Sequence, residues 1–177
     1  MNQKRIQQTA DPRMKIFGTV AVLLVVIGAI FIFLGDGKGN DENEGIPKLK
    51  ISEKSYDFGD ISMANGLAKH NFEIKNEGDG ILEISNISTS CMCTTVTLEI
   101  NGKKSPEFGM SGHGSNPVFW SEKINPGETA ILEATFDPLA HGPNATGPIT
   151  REIMMTSNNN GEEKTISRII FSGNVIK

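Results

Sequence analysis

An uncharged apolar run over residues 16–34 constrains this chain more than any other feature. Fourteen of its nineteen residues are Leu, Ile, Phe or Val. As a helix rising about 1.5 Å per residue, the run would be about 28 Å long, close to the roughly 30 Å hydrocarbon core of a bilayer. The sequence therefore predicts one transmembrane helix over residues 16–34.

The charges on either side of this run predict its orientation. Residues 1–15 carry four basic side chains and one acidic one, whereas residues 35–45 carry four acidic side chains and one basic one. The positive-inside rule then places the tail 1–15 in the cytoplasm and the rest of the chain outside the cell membrane. A cleaved secretory signal is the alternative interpretation, but its apolar region is typically about 7–15 residues long and ends in an A-x-A-like site. Here the run is longer and ends in Phe-Leu-Gly-Asp-Gly.

The remaining residues divide into a linker and one domain. Residues 35–47 are rich in Gly and acidic side chains, which predicts a flexible spacer because such a segment buries little apolar surface. Residues 48–177 match one domain of common size. They carry 12 Lys and Arg against 16 Asp and Glu, with no basic cluster. This charge balance argues against a nucleic-acid partner.

The folded part reads as an all-β domain because apolar residues alternate with polar ones between turn signals. The predicted strands cover residues 49–51, 56–61, 70–75, 81–87, 92–100, 130–136, 149–157 and 165–171. The turn sequence at residues 76–80, Asn-Glu-Gly-Asp-Gly, predicts a hairpin between the third and fourth of these strands. About seven strands in about 130 residues predict an immunoglobulin-like sandwich. Residues 103–124, rich in Gly, predict a long loop, and loops of this length are often functional or mobile.

The only two cysteines lie two positions apart, in the sequence Ser-Cys-Met-Cys-Thr at residues 90–94. In an extended strand both would face away from the core, with Cα atoms about 6.6 Å apart, so a mutual disulfide would need a bend. Sulfur ligands favour Cu(I) and then zinc, and soft or imidazole ligands occur in nearby Gly-rich segments. The predicted metal ligands are Cys91, Cys93, Met110, His113 and His141. Two alternatives remain open. The cysteines could act by thiol chemistry, as a redox pair or through a bond to a partner cysteine. They could instead simply pack as two small side chains.

No residue set with a catalytic pattern accompanies this pair. The sequence Gly-Met-Ser-Gly-His at residues 109–113 differs from a nucleophile elbow, because its second glycine falls one position early and no strand-to-helix turn follows. There is also no phosphate-binding loop and no dinucleotide fingerprint. The chain is therefore predicted not to be an enzyme.

Several motifs, taken in order, resemble a bacterial family. They are Tyr-Asp-Phe-Gly-Asp-Ile at residues 56–61, His-Asn-Phe-Glu-Ile-Lys-Asn-Glu-Gly-Asp at 70–79, the cysteine motif at 90–94, Ile-Asn-Pro-Gly-Glu at 124–128 and Thr-Ser-Asn at 156–158. Over residues 49–175 the chain resembles the family DUF1573. The resemblance implies an immunoglobulin-like sandwich similar to hydin-type and major-sperm-protein-like domains, usually exported or membrane-attached and without established enzymatic activity. The family motif usually reads Ser-Cys-Gly-Cys-Thr, so Met92 replaces a glycine.

Together these features predict a membrane-anchored, extracytoplasmic interaction module. Its expected partners are the membrane, through residues 16–34, and proteins of the envelope or cell surface. The alternative function is a domain that binds copper or zinc, or that exchanges thiols, through the Cys-x-Cys motif.

Overall fold

The computed structural model describes residues 45–114 and 116–177. Ten strands lie within these residues, together with two single-turn 3-10 helices at Met63–Asn65 and Asn159–Gly161. The strands are β1 (Leu49–Ile51), β2 (Ser55–Ser62), β3 (Ala68–Asn76), β4 (Leu82–Thr89), β5 (Thr94–Ile100), β6 (Lys103–Lys104), β7 (Ser121–Ile124), β8 (Thr129–Phe136), β9 (Gly147–Ser157) and β10 (Thr165–Ile176).

The strands form two five-stranded sheets, and this arrangement confirms the predicted all-β sandwich. The strand order is β1-β3-β8-β5-β6 in the first sheet and β2-β10-β9-β4-β7 in the second. The strand pairs are antiparallel, except that β2 pairs with β10 in parallel. The structure has ten strands rather than about seven. Eight of them correspond to the predicted strand segments, and the other two, β6 and β7, lie inside the segment 103–124 that is predicted to be loop throughout. Between β6 and β7, the described residues 105–114 and 116–120 contain no strand, and this segment is called loop 105–120.

Alternating side chains of the central strands form the core between the sheets. In β8, every second residue from Ala130 to Phe136 is buried, as its sequence pattern predicts. Leu132 lies between Phe72 of β3 and Leu98 of β5 in the register of the first sheet. Each buried Leu or Phe side chain of this kind contributes about 1.5–3 kcal/mol relative to exposure. The core therefore depends on the central strands of both sheets.

The predicted hairpin between residues 70–75 and 81–87 is wrong. The strands there are β3 and β4, which belong to different sheets: β3 pairs with β1 and β8, and β4 pairs with β7 and β9. The turn between them therefore carries the chain across the sandwich. Asn76, fully buried at the end of β3, holds this crossing because its side-chain amide donates to the carbonyls of Gly80 (2.7 Å) and Ile124 (2.9 Å).

The predicted membrane segment 16–34 lies outside the described residues, as do the tail 1–15 and most of the linker 35–47. In the part of the chain that the structure describes, no helix has both the length and the apolar character needed to cross a bilayer.

Candidate functional site

The Cys-x-Cys motif forms a tight turn where the chain passes from β4, in the second sheet, to β5, in the first. The backbone N–H of Thr94 donates to the carbonyl of Cys91 (3.1 Å). The hydroxyl of Thr89 lies 3.0 Å from the carbonyl oxygens of both Cys91 and Thr94. Thr89 and Thr94 are buried, so these bonds hold the turn from the core side.

This turn joins the two cysteines in a disulfide, with Cα atoms 5.3 Å apart. The prediction of two cysteines on an extended strand, both facing away from the core, is wrong because β5 begins only after the motif. Cys93 is 2% exposed and belongs to the core, whereas Cys91 is partly exposed. The two sulfurs therefore differ in their access to solvent.

His141 is placed beside Cys91 by the loop that follows β8. Its Nε2 atom lies 3.3 Å from the Cys91 sulfur, and its side chain is exposed. The loop is tied to the cysteine turn because the backbone N–H of Asp137 donates to the carbonyl of Cys93 (2.8 Å). Further along, the N–H of Gly142 donates to the carbonyl of Leu139 (2.8 Å), which closes a turn around His141.

Arg151 of β9 contacts the other sulfur, that of Cys93. Its Nε–H donates to the Cys93 sulfur at 3.0 Å, and its guanidinium carbon lies 5.9 Å from the centre of the Phe136 ring. Burial lowers the pKa of Arg151 from its ordinary value, but guanidinium stays protonated in proteins. A fixed positive charge thus contacts the buried sulfur. The sequence reasoning missed Arg151 because only the pairing of β4 with β9, which sets Thr89 opposite Ile153, brings it to the turn.

The five predicted metal ligands fall into two neighbouring places. Ligand atoms of Cys91, Cys93 and His141 lie within 4.8 Å of one another, and they are the one such group of His, Cys, Asp and Glu side chains among the described residues. Met110 and His113 instead line an open pocket of about 420 Å³. The structure therefore brings three of the predicted ligands together.

Loop 105–120 borders the same pocket, and contacts between its own residues hold the two sides of the loop together. The Phe108 ring packs edge-on against Trp120 with centroids 4.8 Å apart. The side chain of Asn116 both accepts from the N–H of Gly109 (2.7 Å) and donates to its carbonyl (3.0 Å). Phe119, which directly precedes Trp120, is 100% exposed and has a left-handed backbone (φ 66°).

The part of the chain that contains the cysteine turn also matches a known family. Residues 49–107 match the family DUF1573, described as protein of unknown function. This match confirms the predicted DUF1573 resemblance over β1 to β6, including Cys91 and Cys93, whereas His141 and Arg151 lie beyond the matched segment. Among curated proteins, none is significantly similar in sequence to this chain.

This chain is similar to several solved structures at low sequence identity. A protein of unknown function from Porphyromonas gingivalis W83 is 16% identical, with a TM-score of 0.51; the match covers 78% of this chain but only about half (51%) of that one. The ASH/PapD-like domain 7 of human CEP192 is 15% identical, with a TM-score of 0.46 and coverage of 73% and 86%. The periplasmic chaperone SfaE is 9% identical, with a TM-score of 0.40 and coverage of 73% and 57%.

Proposed function

We propose that this chain is a single-pass membrane protein whose β-sandwich acts outside the cell membrane as a non-enzymatic binding module for another protein of the envelope or cell surface. The apolar run 16–34 and the opposite charges that flank it support the anchor and its orientation. The acidic, Gly-rich spacer at 35–47 would let the sandwich search roughly 20 Å from the bilayer.

The observation that carries the binding role is the conformation of Phe119. A bulky residue with positive φ is an outlier that costs on the order of 1–3 kcal/mol, and such strain tends to occur at functional positions. The side chain that this strained backbone presents is fully exposed, and its neighbour Val118 is 76% exposed. Aromatic side chains, Phe among them, are enriched at the centre of protein interfaces. We therefore place the binding surface at Val118 and Phe119, near the carboxyl end of loop 105–120.

Site-specific cross-linking tests this surface. A photoreactive amino acid is introduced at Phe119, and, as a matched control, at Ile166, which is 60% exposed on β10. In intact cells we expect a discrete cross-linked protein from position 119, lost when Val118 is changed to serine, and no such product from position 166. Equal products from both positions, or none from position 119, would refute the surface.

A separate measurement tests the anchor and its orientation. Protease added to cells whose cell membrane is intact and accessible should digest a tag at the carboxyl terminus and spare one at the amino terminus. The protein should also stay with membranes after an alkaline wash. A protected carboxyl terminus, or a mature protein that has lost its first thirty or so residues, would contradict the anchored topology.

The cysteine turn favours a second candidate function, metal binding or thiol-redox exchange. Its support is the cluster of Cys91, Cys93 and His141, with ligand atoms within 4.8 Å. Two thiolates and an imidazole suit Cu(I), and they suit zinc with one open position. Because a metal needs both sulfurs as thiolates, binding requires that the disulfide first be reduced.

Metal titration under anaerobic, reducing conditions tests the metal form of this candidate. We expect one Cu(I) per chain, loss of binding when both cysteines are replaced by serine, and weaker binding in His141→Ala. The variants Met110→Leu and His113→Ala test the remaining predicted ligands, and we expect both to bind like the unmodified protein because these residues line the neighbouring pocket. Unchanged binding in the double cysteine variant would end the hypothesis.

A further inference from the structure

The two sulfurs of the cysteine turn have different surroundings, and this difference assigns them different roles. We propose that the Cys91–Cys93 disulfide oxidises external thiols, with Cys91 as the sulfur that is attacked and Cys93 as the sulfur that leaves. The proposal rests on the thiol-redox form of the second candidate function, and adds to it the substrate class and the role of each residue.

Access selects the sulfur that is attacked. Exchange requires a thiolate to reach one sulfur of the disulfide, so accessibility decides between the two. Cys93 is 2% exposed within the core, whereas Cys91 is partly exposed and lies next to two exposed side chains, Met92 (58% exposed) and His141. An incoming thiol therefore meets Cys91 first.

Charge favours the departure of the other sulfur. When a thiolate attacks Cys91, the bond to Cys93 breaks and Cys93 takes the electron pair as a thiolate. The Nε–H of Arg151 already donates to this sulfur at 3.0 Å. Arg151 is fixed by a hydrogen bond from its Nη1 to the carbonyl of Thr150 (2.8 Å) and by its position over Phe136. Hydrogen bonds and positive charge on a thiolate make it a better leaving group.

The complete reaction balances over two steps. In the first, a thiolate RS⁻ attacks the Cys91 sulfur, giving the mixed disulfide R–S–S–Cys91 and the Cys93 thiolate. In the second, another thiolate attacks the R sulfur, releasing RSSR and the Cys91 thiolate, which His141 contacts at 3.3 Å. Two thiols are thereby oxidised to one disulfide, and the two electrons reduce Cys91 and Cys93. Because both steps are reversible, an external disulfide reoxidises the pair by the reverse path.

The position of the mixed disulfide is the direct test. The oxidised full chain in detergent is mixed briefly with glutathione, or in a second arm with a peptide that contains one cysteine, and free thiols are then blocked with N-ethylmaleimide. Fragmentation mass spectrometry of the tryptic peptide that follows Lys75 locates both modifications. We expect the thiol on Cys91 and the maleimide on Cys93, with at least about tenfold selectivity because access controls exchange. A larger yield in the peptide arm would identify proteins as the preferred source of thiol.

Arginine variants test the role of the charge. We expect Arg151→Gln to slow reduction by glutathione about tenfold or more and Arg151→Lys to restore part of the rate, because only the lysine keeps a cation near the leaving sulfur. The matched control is Arg168→Gln, which removes an arginine of β10 whose contact is Glu152 at 3.1 Å. Circular dichroism checks that each variant is folded.

The outcomes separate the two levels of the hypothesis. Thiol found equally on both sulfurs, or a rate in Arg151→Gln equal to that of the unmodified protein, would overturn the assignment of roles while leaving a thiol-redox function in place. A folded protein that forms neither mixed disulfide nor dithiol with excess glutathione, although the urea-unfolded chain does, would overturn the thiol-redox candidate itself.

Discussion

Asn76 gives the sharpest test of how the two sheets are connected. Its side chain is fully buried and makes four hydrogen bonds. It donates to the carbonyls of Gly80 (2.7 Å) and Ile124 (2.9 Å), and accepts from the backbone N–H groups of Lys48 (3.2 Å) and Gly78 (3.0 Å). We expect Asn76→Ala to strip these backbone groups of their partner in a place with little access to water.

The magnitude follows from the number of bonds. A typical hydrogen bond contributes about 0.5–1.5 kcal/mol net, and a buried group left without a partner costs about 1–3 kcal/mol. Because some of the freed groups can relax toward water, we expect Asn76→Ala to lower the free energy of unfolding by about 3–5 kcal/mol, a large part of the roughly 5–15 kcal/mol typical of a domain. Asn76→Asp keeps the shape but sets an oxygen against two carbonyls, so its loss should be at least as large.

Urea unfolding of the full chain in detergent, followed by the fluorescence of Trp120, measures these losses. At a urea dependence of about 1–3 kcal/mol per molar, the Asn76→Ala midpoint should fall by at least about 1 M. The control is Asn71→Ala, which removes the same side chain from an exposed position of β3 and should change the free energy by less than about 0.5 kcal/mol. A loss below about 1 kcal/mol in Asn76→Ala would refute the reasoning, because it would mean that the four bonds contribute almost nothing.

Three further predictions concern other parts of the sandwich. A Cβ on Gly80 would overlap backbone atoms of Gly45 and Pro47, whereas at Gly109 the nearest atom to an added Cβ is 3.8 Å away. The urea midpoint of Gly80→Ala should therefore lie well below that of Gly109→Ala, and equal midpoints would contradict this. A hydrogen bond from Lys50 lowers the pKa of Glu77. The stabilisation of the folded state by ionised Glu77 is therefore present at neutral pH and disappears as the pH falls through that lowered pKa. In Glu77→Gln, the urea midpoint should therefore fall less steeply at acid pH than in the unmodified protein. An unchanged dependence on pH would refute the role of this hydrogen bond. Asn tolerates positive φ, so Phe119→Asn should leave the urea midpoint unchanged or raise it while abolishing cross-linking of the partner to a probe at Val118; a lower midpoint or persistent cross-linking would count against the role of this loop.

Local pattern was enough to find eight of the ten strands, all but the short β6 and β7, but not to pair them. The alternation in β8 is visible in the sequence because successive strand residues face opposite sides. The turn after β3 was equally visible, but its composition shows only that the chain bends. The bend could return the chain to the same sheet or carry it across. Buried contacts of Asn76 with distant backbone decide this, and those contacts exist only once Ile124 has been brought next to β3.

The cysteine turn likewise has one feature that local sequence predicts and others that only the folded structure decides. Spacing alone marked Cys91 and Cys93 as a chemical pair, because sulfurs two residues apart cannot separate far. It could not show that one is buried and the other accessible, since this depends on where β5 begins.

The partners of the two sulfurs lie still further away along the chain. His141 is 50 positions from Cys91, and Arg151 is 58 positions from Cys93. The residues themselves specified the apolar segment, the strand pattern and the cysteine pair, because these are properties of near neighbours. Only the packing of two sheets supplied a guanidinium to the buried sulfur and an imidazole to the accessible one, because chain segments so distant meet only through strand pairing.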